Sequence, residues 1–289
     1  MAAPPGRAAA VAARSVTDSR KRISIIIPVL NEEDALRRHL PLLHGRAGPA
    51  RDQLSQQHRG QGPLPQGDSQ THGVLQTQGR PEIIVVDGGS RDGSRQACAG
   101  LVDCFVDSPP GRARQMNAGA AVATGDILLF LHIDTVLPED GLALILTQFE
   151  RLSVLWGRFD VRLSGTHPAF RCIAFMMNLR SRVSGVATGD QAIFVRRAVF
   201  EQVGGYADMP LLEDVALCKT LRRLAPPACL RAKVVTSSRR WEQHGVARTV
   251  TLMWWLRLLY VLRVPPATLH AMYYKKNIKD KQHPIESKQ

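Results

Sequence analysis

Two carboxylates in this 289-residue chain stand where apolar runs break off, and their spacing is where chemistry is first legible. Asp134 ends the run Ile127-Leu128-Leu129-Phe130-Leu131 through the step His132-Ile133-Asp134-Thr135, and Asp87 closes Glu82-Ile83-Ile84-Val85-Val86-Asp87. An apolar run bounded by Gly125-Asp126 and Leu137-Pro138 reads as a central, buried parallel strand. Ligands of open α/β sheets sit in the crevice beyond the carboxyl ends of such strands. A carboxylate there suits a hard divalent cation that holds a diphosphate; it equally suits the cap of a following turn. The recurrence of an acid on two core strands weighs against capping alone. A further pair, Glu213-Asp214, opens a helix, where acids complement the positive end of the dipole.

The elements that must position these groups follow an alternating order. Ile23 to Val29 reads as a first buried strand. Asn31 can cap the helix that follows, Glu32, Glu33 and Asp34 suit its first turn, and Leu36, Leu40 and Leu43 recur at helical spacing. The Asp87 strand turns through Gly88-Gly89-Ser90-Arg91-Asp92-Gly93 into a short helix, where glycines let a ligand approach the backbone. A short third strand leads to Pro109-Pro110-Gly111 and a helix from Arg112 to Ala123 that begins with Arg112, Arg114 and Gln115. In the second half, helices are expected at 141–152, 170–184, 198–203 and 211–224. Strands are expected at 156–163, with alternating polarity, at 188–195 and near 233–236. This is the pattern of a doubly wound, mostly parallel sheet.

Composition narrows the partners. Lys and Arg outnumber Asp and Glu by 38 to 25, a formal charge of +13. The basic residues are dispersed and no nucleic-acid-binding motif accompanies them, so a solvated basic surface is the expectation, with a phosphate-rich ligand or a membrane surface as the other reading. Five cysteines without a C-x-x-C pair argue against a disulfide framework and a structural zinc site. Buried, reduced thiols of a cytoplasmic protein are the reading. Residues 1–22 hold no long apolar core and read as a disordered tail that only weakly resembles an organelle-targeting peptide. Residues 45–80 hold eight glutamines and neither an aromatic residue nor isoleucine, and read as a disordered insertion. Residues 276–289 read as a disordered basic tail. The apolar stretch 250–264 is short of the ~20 residues of a bilayer span. Packing on the domain or on a second copy is one reading of it, and a seat at a membrane interface through Trp254, Trp255 and Tyr260 is the other.

Taken together, several stretches resemble the family 2 glycosyltransferases of the GT-A fold, most nearly the selenodomain-associated or arsenosugar-type subgroup. They are 25–33 (Ile-Ile-Ile-Pro-Val-Leu-Asn-Glu-Glu), 85–94 (Val-Val-Asp-Gly-Gly-Ser-Arg-Asp-Gly-Ser) and 111–120 (Gly-Arg-Ala-Arg-Gln-Met-Asn-Ala-Gly-Ala). To these are added Phe-Leu-His-Ile-Asp-Thr at 130–135, Thr-Gly-Asp-Gln-Ala-Ile-Phe-Val-Arg-Arg at 188–197, Leu-Leu-Glu-Asp-Val at 211–215 and Ser-Ser-Arg-Arg-Trp at 237–241. The resemblance implies one Rossmann-like GT-A domain over 23–275, with a mostly parallel sheet flanked by helices. It further implies a nucleotide-sugar donor, a divalent metal (Mn²⁺ or Mg²⁺) and inverting transfer to an acceptor.

By the same resemblance, Asp87 contacts the nucleotide base, with Pro28, Asn31 and Glu32 lining its pocket. Asp92 serves the nucleotide or caps its helix. Arg112 and Asn117 lie near the donor, as do Arg240 and Trp241. Asp134 holds the metal, Asp214 is the general base with Glu213 beside it, and Asp190 and Gln191 lie on the acceptor side or form a strand-entry turn. The chemistry agrees: a departing diphosphate needs positive charge, and an acceptor hydroxyl needs a carboxylate to take its proton.

Three departures from the family pattern stand out. The usual Asp-x-Asp is His132-Ile133-Asp134, which makes His132 a metal ligand, a hydrogen-bond donor or a core histidine. Gly88 replaces the second acid of the Asp87 motif. Ser237 replaces the glutamine of processive members, which argues against polymer synthesis. His244 is a further candidate metal ligand. Two other readings compete. A nucleotidyltransferase would want a basic phosphate loop after the first strand, where Asn31-Glu32-Glu33 is acidic. A non-catalytic membrane- or partner-binding descendant of the fold is the remaining class; separately, a homo-oligomer is one expected form of assembly.

Overall fold

The structure, a computed structural model, describes residues 22–44 and 80–279; of Arg240, His244 and residues 274–279 only the backbone is described. The expected N-terminal tail, glutamine-rich insertion and last part of the basic tail therefore lie outside the described residues.

An eight-stranded sheet runs in the order β3-β2-β1-β4-β7-β6-β8-β5. Its first half is parallel: β1 (Ile23–Val29) pairs with β2 (Glu82–Asp87) and β4 (Ile127–Phe130), and β2 with β3 (Cys104–Asp107). The second half is mixed. β7 (Ile193–Arg196) runs antiparallel to β4 and to β6 (Trp156–Leu163), and β6 runs parallel to β8 (Ala228–Thr236). The two-residue β5 (Thr135–Val136) closes the edge on β8. Alternate residues of β1 feed the two faces: Ile25 and Ile27 enter one core cluster and Ile26 the other.

Helices α1 (Glu33–His44), α2 (Ser94–Ala97), α3 (Arg112–Val122), α4 (Gly141–Glu150), α5 (Pro168–Ser184), α6 (Arg197–Gln202) and α7 (Glu213–Leu224) flank the sheet. Three more, α8 (Arg239–His244), α9 (Val246–Val261) and α10 (Pro266–Lys279), follow β8. The last helix thus runs beyond residue 275, where the domain was expected to end. No helix among the described residues is long and apolar enough to cross a membrane.

Four local expectations are corrected. The apolar run at 127 leaves the sheet at Phe130, so Asp134 rides a turn between β4 and β5. Residues 189–191 form a 3₁₀ turn before β7, capped reciprocally by Thr188 and Gln191. β6 is buried on both faces as far as Val161, with Arg162 exposed, because α5 covers its polar side: Asn178 bonds both the N–H and C=O of Val161, and Asp160 is held between Arg158 and Arg182. Of the cysteines only Cys98 and Cys218 are buried, with burial pushing their thiols up to about 11 and about 12, while Cys172 is exposed.

Candidate active site

The site is assembled at the carboxyl end of the parallel half. α3 reaches it because Gly119 lies flat on the sheet; a Cβ there would stand 2.5 Å from Ile26 Cγ2 and 2.9 Å from Val86 Cγ2. One turn earlier, buried Gln115 donates from Nε2 to the carbonyls of Val29 (2.7 Å) and Val86 (2.9 Å). These two contacts fix the first turn of α3, and with it Arg112, against the ends of β1 and β2.

Two lobes open beside that turn and share Pro28, Glu32 and Arg112. The larger, about 840 Å³, is bounded by Arg114, Asp208, Leu211, Glu213, His270 and Tyr273. The smaller, about 250 Å³, is lined by His132, Asp134, Asp190, Arg239 and Trp241, with Met177 and Met253 on its apolar wall. Of the expected residues, Pro28, Glu32, Arg112, His132, Asp134, Trp241, Asp190 and Glu213 are thus brought to one cleft.

The cleft is electrostatically tight. Burial raises the Glu32 carboxyl; Arg239 opposes the shift, Asp134 and Asp92 add to it, and Arg112 opposes it. Burial likewise raises Glu213, which is 6% exposed; adjacent Asp214 adds to the shift, while Arg112 and His132 oppose it. Arg112 therefore acts on acids in both lobes. Leu212, ahead of Glu213, sits at φ 66°, a strained conformation for a residue with a Cβ.

Other expected residues are engaged in building the frame. Asp87 accepts from the N–H of Ser90 (3.0 Å) and from its hydroxyl (2.5 Å), and does not line either lobe. Asn31, at φ 54°, accepts from Arg91 N–H at 2.8 Å and donates its own N–H to Ser90 Oγ. Asp92 accepts from the Glu33 N–H (3.1 Å) and the Ser94 hydroxyl (2.6 Å), while Glu33 accepts from Gly93 N–H, a reciprocal clasp of two helix starts. Asn117 spends both ends of its amide on the backbone of Tyr206. Asp214 Oδ2 accepts from Gly189 N–H at 2.8 Å, beneath the turn that carries Asp190. Gln191 is fully buried in that turn. The side chains of Arg240 and His244 lie outside the described residues.

Among the described residues no cluster of three His, Cys, Asp or Glu side chains forms a metal cage. His132 Nδ1 faces Asp190, and its Nε2 is buried without a hydrogen bond against Gly189, where a Cβ would stand 2.5 Å away. Asp134 lines the smaller lobe together with Glu32 and Asp190. One carboxylate fits Mg²⁺ or Mn²⁺ when a substrate diphosphate and water complete the shell.

Residues missed in the sequence are Arg239, Gln115 and the wall formed by His270 and Tyr273. Arg239 lay inside the noticed Arg-Arg-Trp step. Gln115 looked like one polar residue of a helix start. The α10 wall depends on tertiary packing: Tyr273 and Leu269 meet Leu211 and Leu212 in a third apolar cluster.

Residues 71–204 match the family described as Glycosyl transferase family 2. An uncharacterized glycosyltransferase of Mycobacterium tuberculosis is 35% identical over 138 residues, 45% of this chain and 52% of the relative. The undecaprenyl-phosphate 4-deoxy-4-formamido-L-arabinose transferase of Aeromonas hydrophila is 31% identical over 128 residues, 42% of this chain and 31% of that protein. The chain thus spans about half, or less, of the length of these curated relatives. Among solved structures, Staphylococcus aureus TarS residues 1–349 superpose with a TM-score of 0.52 at 15% identity, over 75% of this chain and 60% of that one. The mannosyltransferase PcManGT of Pyrobaculum calidifontis, solved with GDP-Man and Mn²⁺, gives 0.50 at 19% identity, over 75% and 56%. At these identities the likeness is one of fold, and the fold of the domain is GT-A. The matched family residues contain β2 through α6; β1 and the Glu213-Asp214 pair lie outside them.

Proposed function

We propose that the domain transfers a sugar, with inversion, from a nucleoside-diphosphate donor to an acceptor hydroxyl, assisted by a divalent cation. The observation that carries the reading is the single cleft into which Asp134, Arg112, Arg239, Glu32 and Glu213 converge. PcManGT's bound GDP-Man and Mn²⁺ support the same choice of ligand.

In this reading Asp134 holds the cation, which neutralises the departing diphosphate when bound. Arg112 and Arg239 add fixed positive charge, already oriented before the reaction. The acceptor oxygen forms a bond to the anomeric carbon as the carbon–oxygen bond to the diphosphate breaks. Asp214 takes the hydroxyl proton, oriented by the Gly189 N–H. Glu213, buried beside it, disfavours a second negative charge and so increases the proton affinity of the pair. His132 positions Asp190 and leaves the cation to Asp134, a revision of the ligand role considered for it. The subgroup, the sugar and seating of α9 at a membrane interface remain part of this proposal. Release of sugar from UDP- and GDP-linked donors, with Mn²⁺ or Mg²⁺, tests the reading; absence of turnover in a folded protein across the donor panel would contradict it.

A further inference from the structure

Two arginines, one on α5 and one on α9, lie one helical turn from residues of the smaller lobe and have no part in the steps above. Arg180 lies on α5 one turn beyond Met177, and Arg257 on α9 one turn beyond Met253; both methionines line that lobe. Arg180 Nε and Nη2 are buried and donate no hydrogen bond within the described residues. Neither arginine forms a salt bridge among the described residues.

Burial, then Arg257, pulls the Arg180 guanidinium down to about 10, against Asp214 and Asp190. Burial also lowers Arg257, with the same two acids opposing. Two like charges are therefore held together, half-buried, beside the expected base and the acceptor-side turn. Guanidinium donors without partners in such a place are matched by the oxygens of an anion.

We propose that Arg180 and Arg257 bind a phosphate ester on the acceptor, so that the acceptor presents its hydroxyl to Asp214 while its phosphate is held between α5 and α9. The inference rests on the transfer reading above and names the acceptor class it left open. The phosphate could belong to a soluble ester or to a lipid headgroup. The outer faces of the same two helices expose Phe175, Leu179, Trp254 and Trp255, so both sources are tested.

Full-length wild type, Arg180→Gln, Arg257→Gln and the surface control Arg171→Gln are compared by two assays. One is thermal shift with glycerol 3-phosphate; the other is flotation with phosphatidylcholine vesicles with and without phosphatidylglycerol. Binding of either probe by wild type and Arg171→Gln, weakened about tenfold or more in both other variants, supports the site, and the probe that binds identifies the source. Equal binding by all four proteins, or none by wild type, overturns it. If Arg180→Gln fails to fold, Arg257→Gln on the other helix decides. A wild-type thermal shift with UDP or GDP plus Mn²⁺ is read in parallel. If it is present, loss of the phosphate site leaves the transfer reading standing; if it is absent, the transfer reading itself has failed.

Discussion

His132 Nδ1 stands 3.5 Å from Asp190 Oδ1, joining the turn after β4 to the turn before β7 across the floor of the smaller lobe. The contact needs Gly189, since any side chain there would collide with the imidazole. His132 is thus turned toward Asp190, and in the proposed transfer reading the cation is left to Asp134.

This division of labour separates two variants. Asp134→Asn should lower metal-dependent transfer by about 100-fold or more, since the cation supplies several kcal/mol of charge stabilisation. His132→Gln should leave the Mn²⁺ dependence of nucleotide binding intact. Metal titrations of both variants check this, and a shift in metal affinity for His132→Gln as large as for Asp134→Asn would restore the imidazole as a ligand.

Asp214→Asn should keep nucleotide binding and lose transfer, because the amide retains the Gly189 contact but takes no proton. Steady-state transfer beside nucleotide titration separates the two, and undiminished transfer removes Asp214 as the base.

Glu213 gives a pH signature with a definite sign. Its carboxyl is raised above the usual value in the folded chain, by burial first and Asp214 second. The stability linked to its protonated form is therefore present at low pH and lost as pH rises through the folded value. Glu213→Gln cannot ionise, so its melting temperature should gain on wild type at about pH 8 relative to about pH 4. A gain that is larger at the acid end would mean that Glu213 is stabilised as a carboxylate.

The approach of α3 to the sheet is testable without any ligand. Gly119→Ala drives a Cβ into Ile26 and Val86 and should cost about 1–3 kcal/mol. Gln115→Met leaves two carbonyls short of a buried donor, a loss of similar size. Chemical denaturation measures both, and effects within a few tenths of a kcal/mol would show that the first turn of α3 is held by other contacts.

The parallel half of the fold was legible because its strands are continuous apolar runs: β1 and β2 lie where Ile and Val cluster, and β4 is Ile-Leu-Leu-Phe. The mixed half was less so. Burial of Arg158 and Asp160 depends on α5 folding over β6, a tertiary event that alternating polarity hides. Of the carboxylates singled out in the sequence, Asp134 and Glu213 line the cleft while Asp87 and Asp92 build the frame, a division the sequence does not show. Asp92 and Asn117 match a donor-site pattern by type, yet their side chains are used on Ser94, Glu33 and the Tyr206 backbone. Local sequence gives a polar residue's chemistry; which backbone group reaches it first depends on loops brought together from Asn31 to Gly205.

The most direct test of the central claim is the affinity of the full chain for UDP and GDP by calorimetry, with Mn²⁺ and with chelator, for wild type and Asp134→Ala. Metal-dependent binding of at least one nucleotide that disappears in Asp134→Ala is the predicted result. Binding that is unchanged by chelator and by the substitution would contradict the account.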